Sequence, residues 1–235
     1  YRKAIELNPD FANAHCNLGN ILRDHGKLKE AELLTCKAIQ LNPDLAEAHC
    51  NLGNILRDLG KLKEAFDCYL KAIDINPKLS NVYTTITRFL QYSDPSQLNK
   101  SKLKYIINIL LEKNNISHKE LTRVFNFIYR NEIIISLEKL DSDFSKIDFL
   151  INENVIVNAL KKITFKDLRL EKLLTNVRKC ICDRITKGKE EISYSQLQFI
   201  IALGEQCFLN EYVYSLTEAE RLSLNIIINR CIDGE

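Results

Sequence analysis

The chain has 235 residues, of which 46% are hydrophobic and 27% charged, and it carries a formal net charge of +2. This composition is that of an ordinary globular protein and excludes disordered and collagen-like chains. Because 33 basic residues stand against 31 acidic ones, no cationic surplus points to nucleic acid as a partner. The sequence shows neither an apolar run of membrane-spanning length nor a basic-then-apolar leader, so no membrane partner is expected.

Eight cysteines accompany this composition. In a chain of this size without a secretory leader, they indicate reduced thiols rather than a disulfide framework. We therefore expect a cytoplasmic protein.

The first part of the chain is repetitive. Residues 12–45 and 46–79 are identical at 24 of 34 positions, and a degenerate first helix is predicted at 80–91. Residues 1–11 match the end of the 12–45 copy, so they correspond to the tail of a preceding repeat. Because the sequence also lacks Met, we expect it to be a fragment of a longer protein.

Glycine and proline divide each copy into two helices. Gly26 is placed to end the first helix with a left-handed backbone conformation. Gly19 and Gly53 lie inside first helices, where glycine is unfavourable by about 1 kcal/mol unless another helix approaches closely. Pro43 prevents the second helix from continuing. Each copy is thus predicted to be a helical hairpin.

The unit resembles the tetratricopeptide repeat, a 34-residue helix-turn-helix motif with fixed aromatic, Leu-Gly, Ala and Pro positions. Histidine replaces the leading aromatic residue, and Thr35 stands in place of a phenylalanine. The resemblance implies hairpins that stack into a superhelix and require a cap. The matching positions are His15, Leu18, Gly19, Leu22, Ala31, Thr35 and Pro43, followed by His49, Leu52, Gly53, Leu56, Ala65, Tyr69 and Pro77.

Helix 12–25 has two distinct faces when it is wound at about 100° per residue. Leu22 lies on the face that packs against other helices. Asn17 and Cys16 lie on the opposite face, which we expect to line a groove. By repeat symmetry, Cys50 is expected on the same groove-lining face. The predicted peptide-binding residues are Asn13, Asn17, Asn20, Arg23, Glu47, Asn51, Asn54, Arg57 and, in the degenerate third copy, Arg88.

Asparagine suits such a groove because its carboxamide both donates and accepts, and so can pair with any peptide backbone. The pattern resembles the asparagine ladder in the repeats of O-linked N-acetylglucosamine transferases, which implies peptide-binding roles for Asn17 and Asn51. Thr85 departs from that ladder at the third rung. Arg23 and Arg57 would attract acidic groups of a ligand, unless Asp24 and Asp58, which follow them directly, neutralise their charge. A polar face that binds only solvent is the alternative.

The remainder of the chain, 96–235, holds three glycines and no proline, so long helices are expected. The amphipathic stretch 98–111 is placed to cover helix 80–91. We expect a helical bundle that caps the repeats. Capping boxes are predicted at 117–120 and 217–220. Helices are predicted at 165–187, 196–210 and 217–231.

Residues 170–178 and 202–214 resemble a helical segment of bacterial proteins that join tetratricopeptide repeats to an S-adenosylmethionine-dependent methyltransferase domain. The similarity is good over about 170–215 and loose over the rest of 96–235. This resemblance implies that the catalytic domain follows Glu235 and that the chain is its non-catalytic recognition arm.

The chain itself shows no motif for catalysis. The strand and glycine-rich turn of a methyltransferase and the P-loop pattern are both missing from the sequence. The pairs His15-Cys16 and His49-Cys50 lie one repeat apart, and helical neighbours point about 100° apart, so a zinc site is not expected. We predict no catalytic residue, no cofactor and no metal.

The sequence therefore predicts an all-α protein, with a tetratricopeptide superhelix at 1–91 closed by a helical domain at 96–235. The predicted function is to bind a protein or peptide in the groove without catalysing a reaction. Three alternatives stay open: the recognition arm of a methyltransferase, the front end of a glycosyltransferase, and a scaffold that self-associates.

Overall fold

The computed structural model describes residues 1–138, 150–165, 167–187 and 193–209, and the single positions 218, 221, 222, 225 and 226. Regular structure in these residues is helical, without a β-strand among them, which confirms the all-α class. In the same residues no helix is long and apolar enough to cross a membrane. The capping box predicted at 217–220, most of the helix predicted at 217–231, and the side chains of Cys180, Cys182, Cys207 and Cys231 lie outside the described residues.

The chain divides into two compact units. The first contains Tyr1–Ile106 with Asn114–Ser117, and the second contains Ile107–Lys113 with His118–Glu235. The division at 91–96 stays a prediction from the sequence. The helices that begin in the first unit are α1 (Arg2–Leu7), α2 (Ala12–Asp24), α3 (Leu28–Leu41), α4 (Ala46–Asp58), α5 (Leu62–Ile75), α6 (Ser80–Tyr92) and α7 (Lys100–Glu112), with a 3-10 turn at Pro95–Gln97.

The turn inside each hairpin depends on one glycine. Gly26 and Gly60 have φ angles of 75° and 78°, in the left-handed region. Around Gly26, its own N–H donates to the Arg23 carbonyl at 2.9 Å and the Lys27 N–H donates to the Leu22 carbonyl at 2.9 Å. These two bonds form a Schellman motif and satisfy carbonyls that the end of α2 leaves free. The predicted role of Gly26 is confirmed.

The turn between hairpins repeats an Asn-Pro pair. Asn42 follows α3 in an extended conformation with φ −140°, as expected for a residue before proline. Its side-chain Oδ1 accepts from the Asp44 N–H at 3.2 Å. Asn8 and Asn76 accept in the same way, at 3.1 Å each, so the turn has one conformation throughout the array.

The two helices of a hairpin come closest at the glycines inside α2 and α4. A Cβ atom on Gly53 would lie 2.6 Å from Cε1 of Tyr69, and one on Gly19 would lie 2.3 Å from Oγ1 of Thr35. Tyr69 and Thr35 are fully buried. The close helix approach predicted for these glycines is therefore confirmed.

The third hairpin is irregular. Thr87 takes the glycine position in α6, where it is buried, and its hydroxyl donates to the Tyr83 carbonyl at 2.7 Å. The stretch predicted at 98–111 forms α7, which begins at Lys100, four residues later than the 34-residue period requires. The additional residues include the 3-10 turn Pro95–Gln97, where the Asp94 side chain accepts from the Ser96 N–H.

The part of α7 in the first unit runs beside α5. Lys102 Nζ lies 2.7 Å from Asp67 Oδ1, and the Tyr105 hydroxyl donates to Asp74 at 3.1 Å. One repeat earlier, Lys61 of the turn before α5 similarly contacts Glu32 of α3 at 2.7 Å. The first-unit part of α7 thus contacts α5 through side chains, although α7 begins out of register with the repeats.

The second unit has a core of large apolar side chains. Phe125, Phe165 and Phe199 are almost fully buried, and the rings of Phe125 and Phe165 lie 5.4 Å apart. The helices predicted at 165–187 and 196–210 are present with slightly different ends. The elements of this unit are a 3-10 turn at His118–Leu121, α8 (Thr122–Glu138), α9 (Asn154–Lys162), α10 (Leu168–Lys187) and α11 (Tyr194–Leu209).

Two helices in the second unit are capped by side chains. Ser193 Oγ accepts from the Gln196 N–H at 3.2 Å, and Gln196 Oε1 accepts from the Ser193 N–H at 3.0 Å, which is a reciprocal capping box at the start of α11. Asp167 accepts from the N–H groups of Arg169 and Leu170 and forms an ion pair with Arg130. Neither cap was predicted from the sequence.

Gln206 connects α11 with the chain that follows α9. It is 2% exposed, and its Nε2 donates to the carbonyls of Leu160 at 3.1 Å and Ile163 at 2.7 Å. Its Oε1 accepts from the Phe165 N–H at 3.4 Å. These three bonds satisfy buried backbone groups that water does not reach, so the amide fixes the path of the chain around Phe165.

We predict that Gly53→Ala lowers the free energy of unfolding more than Gly60→Ala does. The first substitution forces a methyl group against the Tyr69 ring, at a cost of about 1–3 kcal/mol. The second has open space and costs about 1 kcal/mol for its positive φ. Urea unfolding measures both, with Gly204→Ala, which is helical and uncrowded, as the control. Equal losses for the two variants would contradict the close approach.

Asp167 should make stability depend on pH. Burial acts to raise the pKa of Asp167, but the hydrogen bonds from Arg130 and from two N–H groups outweigh it and hold the pKa below the usual 3.8. A lowered carboxylate pKa stabilises the fold above that usual value, and the benefit is lost as pH falls through the folded pKa. Unfolding free energies of the wild type and Asp167→Asn should therefore differ near neutral pH and converge below pH 3.8. A constant difference would exclude this role.

Candidate functional site

The predicted site residues all lie on the first helices of the hairpins, α2, α4 and α6. We call the surface formed by Asn13, Asn17, Asn20, Asn51 and Asn54 the asparagine face. Asn13, Asn17, Glu47 and Arg88 are exposed, whereas Asn20, Arg23, Asn51, Asn54 and Arg57 are half-buried. Arg57 contacts Asn54 directly and is linked to Arg23 through Asp58, whereas Asn51 contacts Cys16. In the part of the chain that the structure describes, the other five form no side-chain hydrogen bond or ion pair.

Two cysteines predicted on the groove face are in fact buried. Cys16 is 2% exposed and Cys50 is 4% exposed. Cys16 packs with Ala38 of α3 and Ala48 of α4. The helical wheel placed it opposite the packing arc of α2, but the next hairpin covers that edge of the helix. The accessible face is therefore narrower than the sequence indicated.

Both thiols are neutral packing groups at physiological pH. Burial raises the pKa of Cys16, against a lowering effect of the hydrogen bond from Asn51. Burial likewise raises the pKa of Cys50 to about 11. A thiol that stays protonated is a poor nucleophile and a poor metal ligand. Cys16 therefore contributes to the packing of α2 against α3 and α4, and Cys50 is a buried side chain of α4.

Asn51 is held in place from the neighbouring repeat. Its Nδ2 donates to Cys16 Sγ at 3.2 Å across the interface between α4 and α2. This contact uses one of the two N–H bonds of the amide. Asn51 thus retains its Oδ1 and one N–H for a ligand.

Asn54 is held more firmly, from within its own hairpin. The Tyr69 hydroxyl donates to Asn54 Oδ1 at 3.0 Å, and Arg57 Nη1 donates to the same atom at 3.5 Å. The sequence did not predict this role for Tyr69, which was identified only as a position that matches the repeat signature. A tyrosine at a position where the other repeat has Thr35 was the available signal.

The arginines of the face are paired with aspartates. Arg57 donates to Asp58 through Nε at 3.0 Å and Nη2 at 2.8 Å. Arg23 contacts Asp24 at 2.7 Å and Asp58 at 3.8 Å, so Asp58 lies between the arginines of two repeats. The acidic side chains therefore balance the charge of the two arginines. The ion pair between Arg23 and Asp58 also joins α2 to α4.

A ring donor ties each first helix to the preceding turn. Nε2 of His15 donates to the Pro9 carbonyl at 2.8 Å, and Nε2 of His49 donates to the Pro43 carbonyl at 2.8 Å. A carbonyl can only accept, so these rings carry their hydrogen on Nε2. In the third copy the Tyr83 hydroxyl makes the equivalent bond at 2.7 Å. The sequence predicted only packing for the histidines at this repeat position and did not predict their hydrogen bonds to the preceding turn.

The ties account for the recurring His-Cys pairs. Each Nε2 is occupied by a carbonyl and each following thiol is buried, so the pairs serve the fold. Among the described residues, no three His, Cys, Asp or Glu side chains lie close enough together to hold a metal ion.

Comparison with known proteins identifies the repeats. Family models described as Tetratricopeptide repeat match residues 1–32 and 46–79, and one described as TPR repeat matches residues 19–56. Residues 1–79 therefore consist of tetratricopeptide repeats. No curated protein matches the sequence. The methyltransferase-associated resemblance of 170–215 stays a prediction.

Among solved structures, the chain is similar to YrrB, described as a TPR protein with an unusual peptide-binding site. The two sequences are 17% identical, the match covers 96% of each chain, and the TM-score is 0.43.

We predict that His49→Tyr retains the stability of the fold and that His49→Phe does not. Tyrosine makes the equivalent bond at position 83, whereas phenylalanine leaves the Pro43 carbonyl without its donor. The expected loss for His49→Phe is about 0.5–1.5 kcal/mol in the free energy of unfolding. Thermal and urea unfolding of the two variants give the comparison. If both variants lose the same amount, ring size rather than the hydrogen bond matters here.

Proposed function

We propose that the tetratricopeptide repeats bind an extended polypeptide along the asparagine face and that this chain acts as a binding module without catalysis. The observation that carries the proposal is the row of carboxamides on α2 and α4. Asn17 and Asn51 occupy equivalent places in two stacked repeats, and both retain hydrogen-bonding groups for a ligand.

The proposed mechanism is capture of the peptide main chain. Successive groups on one edge of an extended chain lie about 6.6–6.8 Å apart, because each residue rises by roughly 3.3 Å. The Cβ atoms of residues three apart on a helix are about 5–6 Å apart, so asparagines at this spacing can reach neighbouring main-chain groups. A carboxamide also pairs with either a peptide N–H or a C=O group. Main-chain recognition of this kind tolerates many ligand sequences.

Charge is balanced on the proposed site. Asp24 and Asp58 neutralise Arg23 and Arg57, so an acidic ligand gains little there. Glu47 and Arg88 are both exposed and of opposite sign. We therefore favour an uncharged stretch of polypeptide over an acidic one, and the arginines act mainly to order the face.

We predict that substituting Asn17 and Asn51 by Ala together weakens peptide binding by about fivefold or more, because each lost hydrogen bond is worth about 0.5–1.5 kcal/mol. The probe is a fluorescein-labelled octapeptide of alanine, serine and threonine with blocked ends, followed by fluorescence anisotropy. Asn108→Ala, the same change at an exposed position of α7, is the matched control and should have no effect.

The experiment has clear negative outcomes. Failure of the wild type to bind the octapeptide, or equal binding by wild type and double variant, would exclude the proposed function. Light scattering on the same samples tests self-association, and a concentration-dependent dimer that competes with the octapeptide would favour the scaffold alternative.

A further inference from the structure

Two asparagines that are equivalent in the repeat have different surroundings. Asn54 Oδ1 accepts hydrogen bonds from Tyr69 and Arg57. Asn20 forms no side-chain hydrogen bond within the described residues. The difference follows from the second helix of each hairpin, since α5 carries Tyr69 where α3 carries Thr35, which is too short to reach over the first helix.

The position of Tyr69 is strongly constrained. Its ring lies against Gly53 on one side, and its edge packs on Phe89 with the ring centroids 5.4 Å apart. The residue is fully buried, and burial raises the pKa of its hydroxyl, which therefore stays protonated and available as a donor. The hydroxyl has little freedom to move away from Asn54.

These contacts fix which way the Asn54 amide faces. A guanidinium only donates, so the atom that Arg57 contacts is the amide oxygen. Tyr69 donates to the same oxygen. The Nδ2 group of Asn54 is consequently directed away from both partners, with its two N–H bonds left for a ligand.

We infer that Tyr69 and Arg57 are positioning residues that hold Asn54 as a donor toward a main-chain carbonyl of the bound peptide. This inference rests on the proposed function and adds to it an order among the repeats. A side chain that is already ordered loses less entropy on binding. The second repeat is therefore the stronger subsite and the first, with its unheld Asn20, the weaker.

The first test removes the hydroxyl of Tyr69 and keeps its ring. Tyr69→Phe should weaken binding of the blocked octapeptide by about three- to tenfold. Tyr105→Phe, which removes a hydroxyl bonded to Asp74 of α5, is the matched control and should bind normally. Arg57→Met removes the other donor from a less buried position and serves if Tyr69→Phe lowers stability.

A double-mutant cycle separates positioning from general stabilisation. If Tyr69 acts through Asn54, then Tyr69→Phe should have no further effect on affinity in an Asn54→Ala background. Additive losses would overturn the inference, because they would mean that Tyr69 supports the fold and not the amide.

The reverse substitution tests the order of the repeats. Thr35→Tyr is designed to place a hydroxyl opposite Asn20, since Thr35 lies against Gly19 as Tyr69 lies against Gly53. The variant should bind the octapeptide about three- to tenfold more tightly, and Asn20→Ala should abolish the gain. A folded Thr35→Tyr variant with unchanged affinity would contradict the inference.

The two proposals fail in different ways. If the double alanine variant of Asn17 and Asn51 binds as well as wild type, the proposed function itself is wrong. If that variant binds weakly while Tyr69→Phe and Arg57→Met bind normally, only the positioning role is wrong.

Discussion

The contact between Gly53 and the ring of Tyr69 is the packing constraint on which the proposed binding surface depends. Without a Cβ at position 53, an aromatic ring can lie directly on α4, with atoms where a methyl group would otherwise stand. That contact sets the distance between α4 and α5 and carries the tyrosine hydroxyl through to the asparagine face. A single packing requirement thus connects the core of the hairpin to the surface proposed to bind peptide.

The surface itself is ordered by contacts between repeats as much as within them. Asn51 reaches back to Cys16, and Asp58 lies between Arg23 and Arg57. These contacts require little additional loss of side-chain entropy, because stacking of the hairpins already brings the side chains together. The ion pairs also leave the asparagine face without a large net charge. An extended peptide would meet oriented amides rather than a concentration of charge, which suits recognition of the main chain.

Local patterns were readable from the sequence, and contacts between distant side chains were not. The 34-residue period is visible as sequence identity between the copies. The role of Gly26 depends on the local backbone conformation, which is set by near neighbours in the chain. The burial of Cys16 depends on where the next hairpin crosses α2, and the hydrogen bond of Asn54 depends on the length of the side chain at position 69. The delayed start of α7 at Lys100 reflects an insertion that periodicity cannot place.

The ties made by His15, His49 and Tyr83 have a consequence for how such an array changes over generations. Their acceptor is a main-chain oxygen, which every amino acid supplies. Point changes in the loop before each first helix therefore leave the acceptor in place, whereas a gained or lost loop residue would move it away from its donor. The amino acids of that loop can therefore change over generations, whereas the number of residues in the loop is constrained.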